Sequence, residues 1–448
     1  MNTDTICAVS TPAGIGGIAV IRVSGKDAIR ITDSLFKGRN RLQDSEGGRI
    51  HYGVFGKEED IDEVLVSVFR APHSFTGEDV VEISCHGSLY IQQDILSLLL
   101  RAGCRMAEAG EFTRRAFLNG KMDLSEAEAV ADLIASENAA QHKLALNHLR
   151  GGISDDLARL REQLLHFTSL LELELDFADH EELEFADRTE LRQLAEQIRA
   201  HLQNLLESFR LGNAVKNGIA VAIIGPVNAG KSTLLNALVG EERAIVSSQA
   251  GTTRDTVEDS VTIDGIRFRF IDTAGIRETT NEIESIGIHR SMDAAAKADI
   301  ILLVLDSTAD TSMGKQLLQG VDTSGKTILT LLNKCDLLKE GPASTDNNTI
   351  YISAKQNRLE RLKERLKETA EAYRITEGVV ISNLRHRDAL ARALDAIIRV
   401  EEGMQNQLSG ELITMDLHDC LNALGEITGA ITSQEVLNNI FSRFCIGK

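Results

Sequence analysis

The stretch Gly225-Pro226-Val227-Asn228-Ala229-Gly230-Lys231-Ser232 has the spacing G-x-x-x-x-G-K-S. Main-chain N–H groups in such a loop curl around phosphate oxygens, glycines permit the turn, and the following helix start adds its positive end. Lys231 would reach the β- and γ-phosphates, and the Ser232 hydroxyl would meet Mg2+. Four more elements follow in order. Thr252-Thr253-Arg254-Asp255 lies where a switch loop supplies a threonine to Mg2+. Asp272-Thr273-Ala274-Gly275 offers a carboxylate that holds Mg2+ through water and a glycine N–H for the γ-phosphate. Asn333-Lys334-Cys335-Asp336 provides Asp336, which can accept two hydrogen bonds from guanine N1–H and the N2 amino group. Ser353-Ala354-Lys355 would close over the base. Each element alone is weak. All five in sequence imply a site for GTP rather than ATP, because adenine offers no such pair of donors.

Ile276 follows Gly275. In Ras-like enzymes a glutamine there orients the attacking water, and isoleucine cannot. Arg277, Glu278, Glu282 and Glu284 are the nearby candidates for that task, with surface solvation the ordinary role for each.

These residues need positioning. The apolar run Ile219–Ile224 reads as a buried parallel strand leading into the loop, and Thr233–Leu238 as the helix leaving it. Arg267–Ile271, Thr327–Leu332 and Ile350–Ile352 read as the strands that deliver the later elements. From about 214 to 374 strands alternate with helices, an α/β nucleotide-binding unit. Before it, residues 1 to about 118 read as α+β, with strands at Ile18–Val23, Glu63–Phe69 and Val80–Gly87 and a helix over Ile91–Leu100. Gly14-Ile15-Gly16-Gly17 reads as a tight turn. Cys85 and His86, as strand neighbours, should face opposite ways and be structural.

From about 119 the pattern turns helical. Ile153, Leu157, Leu160, Leu164, Phe167 and Leu171 form one apolar stripe; Leu191, Leu194, Ile198, Leu202, Leu205 and Phe209 form another. Two such stripes require a helical bundle. The acidic stretch Asp176–Asp187 between them reads as a solvated loop rather than a metal site. Helices return after Glu377, over Leu384–Met404 and over Ser433–Phe444 with Ser433 as N-cap.

The 448 residues suit two to four domains, and 43% hydrophobic residues suffice for real cores. A net charge of -19 disfavours non-specific nucleic-acid binding, so any RNA must be held on a local basic surface or by a partner. The six cysteines form no C-x-x-C pair and suit a reducing cytosol. No apolar run reaches transmembrane length, no basic signal-peptide region opens the chain, and the ending Cys445-Ile446-Gly447-Lys448 is a poor prenylation box. A cytoplasmic protein with no membrane partner is expected.

The chain resembles the MnmE (TrmE) family of tRNA modification GTPases along its length. The resemblance rests on Thr11–Arg22, Ser74–Asp79, Gly110–Lys121, Asn228–Ser232 and the terminal Phe444-Cys445-Ile446-Gly447-Lys448. It implies an N-terminal α+β folate-binding and dimerisation domain over 1–118. A helical bundle, discontinuous in sequence, spans 119–213 and 377–448. It surrounds an inserted P-loop G domain, a Ras-like doubly wound sheet, over 214–376. It implies a homodimer that works with the flavoprotein MnmG, as a heterotetramer or larger, to modify C5 of the wobble uridine in certain tRNAs. 5,10-Methylenetetrahydrofolate would supply the carbon, 5-formyltetrahydrofolate being its analogue, and glycine or ammonium the nitrogen.

By position, Arg22, Glu82, Lys121 and Lys448 match folate-binding residues. An arginine and a lysine facing the folate's glutamate carboxylates makes chemical sense. GTP would be held by Asn228-Ala229-Gly230-Lys231-Ser232-Thr233, by Ser247-Ser248-Gln249-Ala250-Gly251-Thr252-Thr253, by Asp272-Thr273-Ala274-Gly275, by Asn333, Lys334 and Asp336, and by Ser353-Ala354-Lys355. Ser232 and Thr253 match the Mg2+ ligands. Asn228, Ser247, Gln249 and Thr252 match the ligands of a K+ that replaces an arginine finger when two G domains pair. Glu284 matches the glutamate that orients water, with Arg277 beside it. Pro226 follows Gly225 directly, one place earlier than usual; serine at 247 and glutamine at 249 depart from the family's threonine and apolar residue, though backbone carbonyls can still serve. Cys445 near the end reads as a helix-terminal cysteine beside the folate pocket rather than a nucleophile. An Era-type ribosome-assembly switch is the competing reading. It would carry a basic RNA-binding domain, which this acidic chain does not show. A purely structural dimerisation scaffold is a third reading, and the five ordered nucleotide motifs argue against it.

Overall fold

The computed structural model describes residues 4–176, 188–240, 259–264, 266–271, 293–309, 318, 322–338, 348–371, 378–442, 444, 445 and 447. The expectations for Ser247, Ser248, Gln249, Ala250, Gly251, Thr252, Thr253, Asp272, Thr273, Ala274, Gly275, Ile276, Arg277, Glu284 and Lys448 lie outside the described residues. The chain divides into two compact units: Met1–Ala135 with Leu146–Ala195 and Asp395–Lys448, and Ser136–Ala145 with Glu196–Leu394.

The first unit carries a seven-stranded sheet in the order β3-β4-β5-β6-β2-β1-β7. Its strands are β1 (Ile6–Val9), β2 (Gly16–Ser24), β3 (Phe36–Gly38), β4 (Arg49–Phe55), β5 (Asp62–Phe69), β6 (Val80–Gly87) and β7 (Arg105–Met106). Alternation decides the faces. Val64, Val66 and Val68 of β5 point into the core, while Glu63, Leu65 and Ser67 point away. Helices α1 (Ala28–Asp33) and α2 (Leu89–Arg101) cover the inner face with Ile29, Ile31, Ile95 and Leu99. Cys85 is buried and His86 exposed, as neighbours on a strand should be.

One expectation needs correction. Gly16 and Gly17 are not a turn; they begin β2. Gly16 pairs with Gly87, where a Cβ would stand 2.4 Å from the Gly16 carbonyl oxygen. The register slips between Gly16 and Ala19. Gly87 is the glycine that close strand approach requires, while a Cβ at Gly16 or Gly17 would meet nothing nearer than 3.7 Å.

Helices α3 (Glu111–Leu118), α4 (Leu124–Ile134), α5 (Ala139–Leu149) and α6 (Ser154–Asp176) follow. Glu111 is 1% exposed, and the guanidinium groups of Arg105 and Arg115 donate to it at 2.6 and 3.1 Å. Burial pushes its carboxyl up. The hydrogen bonds from Arg105, the Glu108 amide and Arg115 outweigh that and hold it below the usual carboxylate range. Helix α4 is closed by a capping box between Asp123 and Glu126. Beyond α7 (Arg188–Asn217), the later helices are α8 (Lys231–Gly240), α9 (Glu360–Glu371), α10 (Leu384–Gln405), α11 (Gly410–Thr428) and α12 (Gln434–Phe441). Helix α6 packs along α11. The Ser433 hydroxyl caps α12 by accepting from the Val436 amide at 3.3 Å.

The second unit holds a six-stranded sheet, β13-β12-β11-β8-β10-β9. Strands β8 (Ile219–Ile224), β10 (Ile266–Phe270), β11 (Ile300–Asp306), β12 (Thr327–Asn333) and β13 (Thr349–Tyr351) run parallel; β9 (Asp259–Ile263) pairs antiparallel with β10. Every residue of β8 is buried. Ile219, Val221 and Ile223 enter a core with Leu234, Leu235 and Leu238 of α8 and Leu362 and Leu366 of α9. Ala220, Ala222 and Ile224 enter a second core with Ala294, Ala295 and Ala298. A parallel sheet buried on both faces presents its loops, and therefore its ligand sites, at the carboxyl ends of its strands.

Candidate functional site

Strand β8 ends at Ile224 and α8 begins at Lys231, so the loop between them lies in the strand–loop–helix setting its spacing predicts. Asn228 and Gly230 adopt left-handed backbone, with φ of 62° and 95°. The Lys231 ammonium turns back to donate to the carbonyls of Gly225 at 2.7 Å and Pro226 at 2.9 Å. Burial lowers its pKa, so an incoming phosphate would meet a desolvated cation. Asn228 and Thr233 are exposed, whereas Ala229 is buried. The loop fits a phosphate cradle: at Gly230 an added Cβ would stand 2.2 Å from Asn333 Nδ2.

Asn333, at the end of β12, is 3% exposed and joins two loops. Its Nδ2 donates to the Ala229 carbonyl at 2.8 Å, and its Oδ1 accepts from the Ala354 amide at 3.0 Å. The phosphate loop and the Ser353-Ala354-Lys355 turn are thereby fixed to one side chain. Asp336 sits in a 3-10 turn just after β12, and its Oδ1 accepts from the Ser353 hydroxyl at 2.6 Å. Lys334 is left-handed at φ 64° and donates to Asp306 Oδ2 at 2.6 Å. Lys355 is exposed. Asn333, Lys334, Asp336, Ser353 and Ala354 are therefore brought together at the carboxyl ends of β12 and β13.

Asp306 was not singled out by sequence reasoning. Burial pushes its carboxyl up, but hydrogen bonds from Lys334 and Thr308 hold it below the usual range. The available signal was the apolar run Ile300–Leu305 closing on a carboxylate; its register with Asn333 comes from the structure alone.

In the first unit, Arg22 on β2 and Glu82 on β6 are cross-strand partners. Arg22 Nε and Nη2 both approach Glu82 Oε1, at 2.9 and 2.8 Å. The guanidinium carbon lies 5.1 Å from the Phe75 ring centroid and 5.5 Å from that of Phe112. Lys121 Nζ donates to the Pro72 carbonyl at 3.0 Å, and Asn119 Nδ2 to the Thr76 carbonyl at 2.7 Å. The loop 72–77 thus touches Arg22 through Phe75 and Lys121 through Pro72. Nearby, Ser10 Oγ donates to the Gly447 carbonyl at 3.1 Å, and Gly110 N to the Cys445 carbonyl at 3.5 Å. Phe75 and Phe112 were present in the motif stretches, but their stacking on Arg22 had no sequence signal. Among the described residues no cluster of histidine, cysteine, aspartate or glutamate suits a metal ion.

Two family models match. That of the GTP-binding protein TrmE N-terminus covers residues 5–121, and that of the MnmE helical domain covers residues 124–445. The chain belongs to the MnmE family. It is 53% identical to the tRNA modification GTPase MnmE of Parabacteroides distasonis, over 99% of this chain and 100% of that protein. It is 50% identical to the MnmE of Bacteroides thetaiotaomicron, over the whole of both. Era, solved with MgGDPNP and a piece of 16S ribosomal RNA, matches 39% of this chain and 65% of its own at 27% identity, with a TM-score of 0.26. That likeness is too partial to carry an argument. Membership of the MnmE family makes the chain a GTP-hydrolysing enzyme of tRNA modification, with a P-loop G domain between MnmE helical segments.

Proposed function

We propose that this MnmE-family GTPase is K+-activated and, with the flavoprotein MnmG, adds an aminomethyl or carboxymethylaminomethyl group to C5 of the wobble uridine of certain tRNAs. The carrying observation is the Asn333 side chain, which joins the phosphate loop to the guanine-side turn and so forms one continuous nucleotide bed. The phosphate loop orients GTP through its main-chain amides and Lys231. Asp336 reads the base. Ser232 and Thr253 would hold Mg2+, and Asn228, Ser247, Gln249 and Thr252 would hold K+; both ions would supply positive charge to the phosphates. Glu284 orients water, and Arg277 is the second residue assigned to catalysis. GTP turnover is expected to be about 10-fold or more faster in K+ than in Na+ at equal ionic strength, as befits a fixed charge at the developing oxyanion. Steady-state phosphate release checks this, and equal rates in the two salts would remove the potassium mechanism.

The folate site is assigned to Arg22, Glu82, Lys121 and Lys448. The tetrahydrofolate supplies the one-carbon unit; the chain's part is to bind and orient it. Support comes from the aromatic flanks on Arg22 and from the loop shared with Lys121. Arg22→Ala is expected to weaken 5-formyltetrahydrofolate binding at least about 10-fold, about 1.4 kcal/mol, by calorimetric titration. GTP binding should be unchanged. Undiminished folate affinity would move the site elsewhere.

The homodimer reading is supported by the outer face of the first sheet. Ile18, Ile50, Tyr52 and Leu65 are 70%, 68%, 63% and 47% exposed there, and Tyr52 is directly opposite Leu65. Among the described residues no helix is long and apolar enough to cross a membrane. A cytoplasmic location accords with work on tRNA.

A further inference from the structure

We infer that the corner formed by α1, β3 and the turn after it holds a phosphodiester stretch of the RNA, an inference that rests on the tRNA reading above. The chain's net charge is -19, so RNA needs a local positive surface. This corner is one. An open cleft of about 370 Å3 is lined by Arg30, Lys37, Arg39 and Arg41, with Asp33 as the carboxylate in its wall.

Asp33 pairs with Arg41 and positions the cleft, leaving Arg30, Lys37 and Arg39 as its outward charges. Its side chain is 6% exposed. Oδ1 accepts from the Leu42 amide at 2.6 Å, and Oδ2 accepts from Arg41 Nε and Nη2, both at 3.2 Å. From the far side, Arg70 donates to the carbonyls of Ser45 at 2.8 Å and Gln43 at 2.6 Å. The turn carrying Arg39 and Arg41 is thus held before any ligand arrives, by the pairing of Gly38 with Gly53 on its N-terminal side and by Asp33 and Arg70 at residues 41–45 after it, which lowers the ordering cost of binding. Arg39 has no hydrogen bond or ion pair among the described residues. Arg30 and Lys37 are held only in exposed pairs, with Asp27 at 3.0 Å and Asp60 at 2.7 Å. Exposed pairs of that kind are weak, so a phosphate can take their place.

The plainer role for such charges is to guard an edge strand, and β3 is one. Guarding needs exposed charge alone. It does not need a turn clamped from two sides around an unpaired arginine.

The test is binding of the full-length protein to an unmodified tRNA transcript across a range of KCl, read by fluorescence anisotropy. Arg39→Glu is expected to lower affinity about 10-fold and to reduce the slope of log K against log salt by about one; K37E/R39E should reduce it by about two. GTP turnover without RNA should not change. Should Arg39→Glu melt early, Arg39→Gln carries the same slope test. Wild-type affinity and slope in these variants would overturn the inference and leave the charges as edge guards. So would a wild-type protein with no salt-dependent affinity for the transcript. The tRNA reading is tested separately, by wobble-uridine modification with MnmG. If the wild type modifies and the variants modify with an unchanged KM for tRNA, only the inference fails; if the wild type modifies nothing, the tRNA reading fails.

Discussion

Asp336→Asn is expected to cut GTP affinity by about 100- to 1000-fold, about 3 to 4 kcal/mol, and to bring xanthosine triphosphate to the front. The carboxylate is an acceptor only, and guanine presents two donors, N1–H and the N2 amino group. An asparagine would set its own NH2 against one of them. Xanthine carries a carbonyl at C2, so the amide suits it. Asp336 is half-buried after β12, and the Ser353 hydroxyl already donates to its Oδ1 at 2.6 Å, which fixes the rotamer before the base arrives. Titration with fluorescent GTP and xanthosine triphosphate gives both affinities. Retained guanine preference would mean the base is read by another group.

Gly230→Ala is expected to weaken GTP binding by more than about 100-fold. The new Cβ would stand 2.2 Å from Asn333 Nδ2, and the backbone there is left-handed at φ 95°. The amide cannot simply swing aside, because it is 3% exposed and bonded at both ends. Freeing it forfeits two buried hydrogen bonds, about 1 kcal/mol each, and left-handed backbone costs an alanine about 1 to 2 kcal/mol more. The melting temperature should fall with the affinity. Binding within about threefold of the wild type would show that the loop accommodates a side chain.

The nucleotide site was readable because gripping a triphosphate requires fixed residue types at fixed spacing, and β8 announces itself as an unbroken apolar run. The Asp306–Lys334 pair was not readable. Its partners lie on separate parallel strands, and only the register places Asp306 opposite Asn333. The two apolar stripes were legible as helix faces, yet in α6 Leu160 and Phe167 are only half-buried while Thr168 is buried, its hydroxyl bonded back to the Leu164 carbonyl at 2.8 Å. A helix can hide a threonine that satisfies itself, which a polarity pattern does not anticipate. The first unit's strand order was the least legible, since β1 pairs with β2 on one side and β7 on the other. Arg22 and Glu82 entered through family likeness alone; their cross-strand pairing and aromatic flanks depend on how β2, β6 and α3 meet.

The doubly bonded amide of Asn333 has a consequence for how this enzyme can be dissected. On the proposed assignments, base affinity and phosphate affinity should not be separate dials. A perturbation at either end is felt at the other, so the energies of Gly230 and Asp336 variants should not sum, and the shortfall in a double-mutant cycle measures how stiffly one side chain welds the two halves of the pocket.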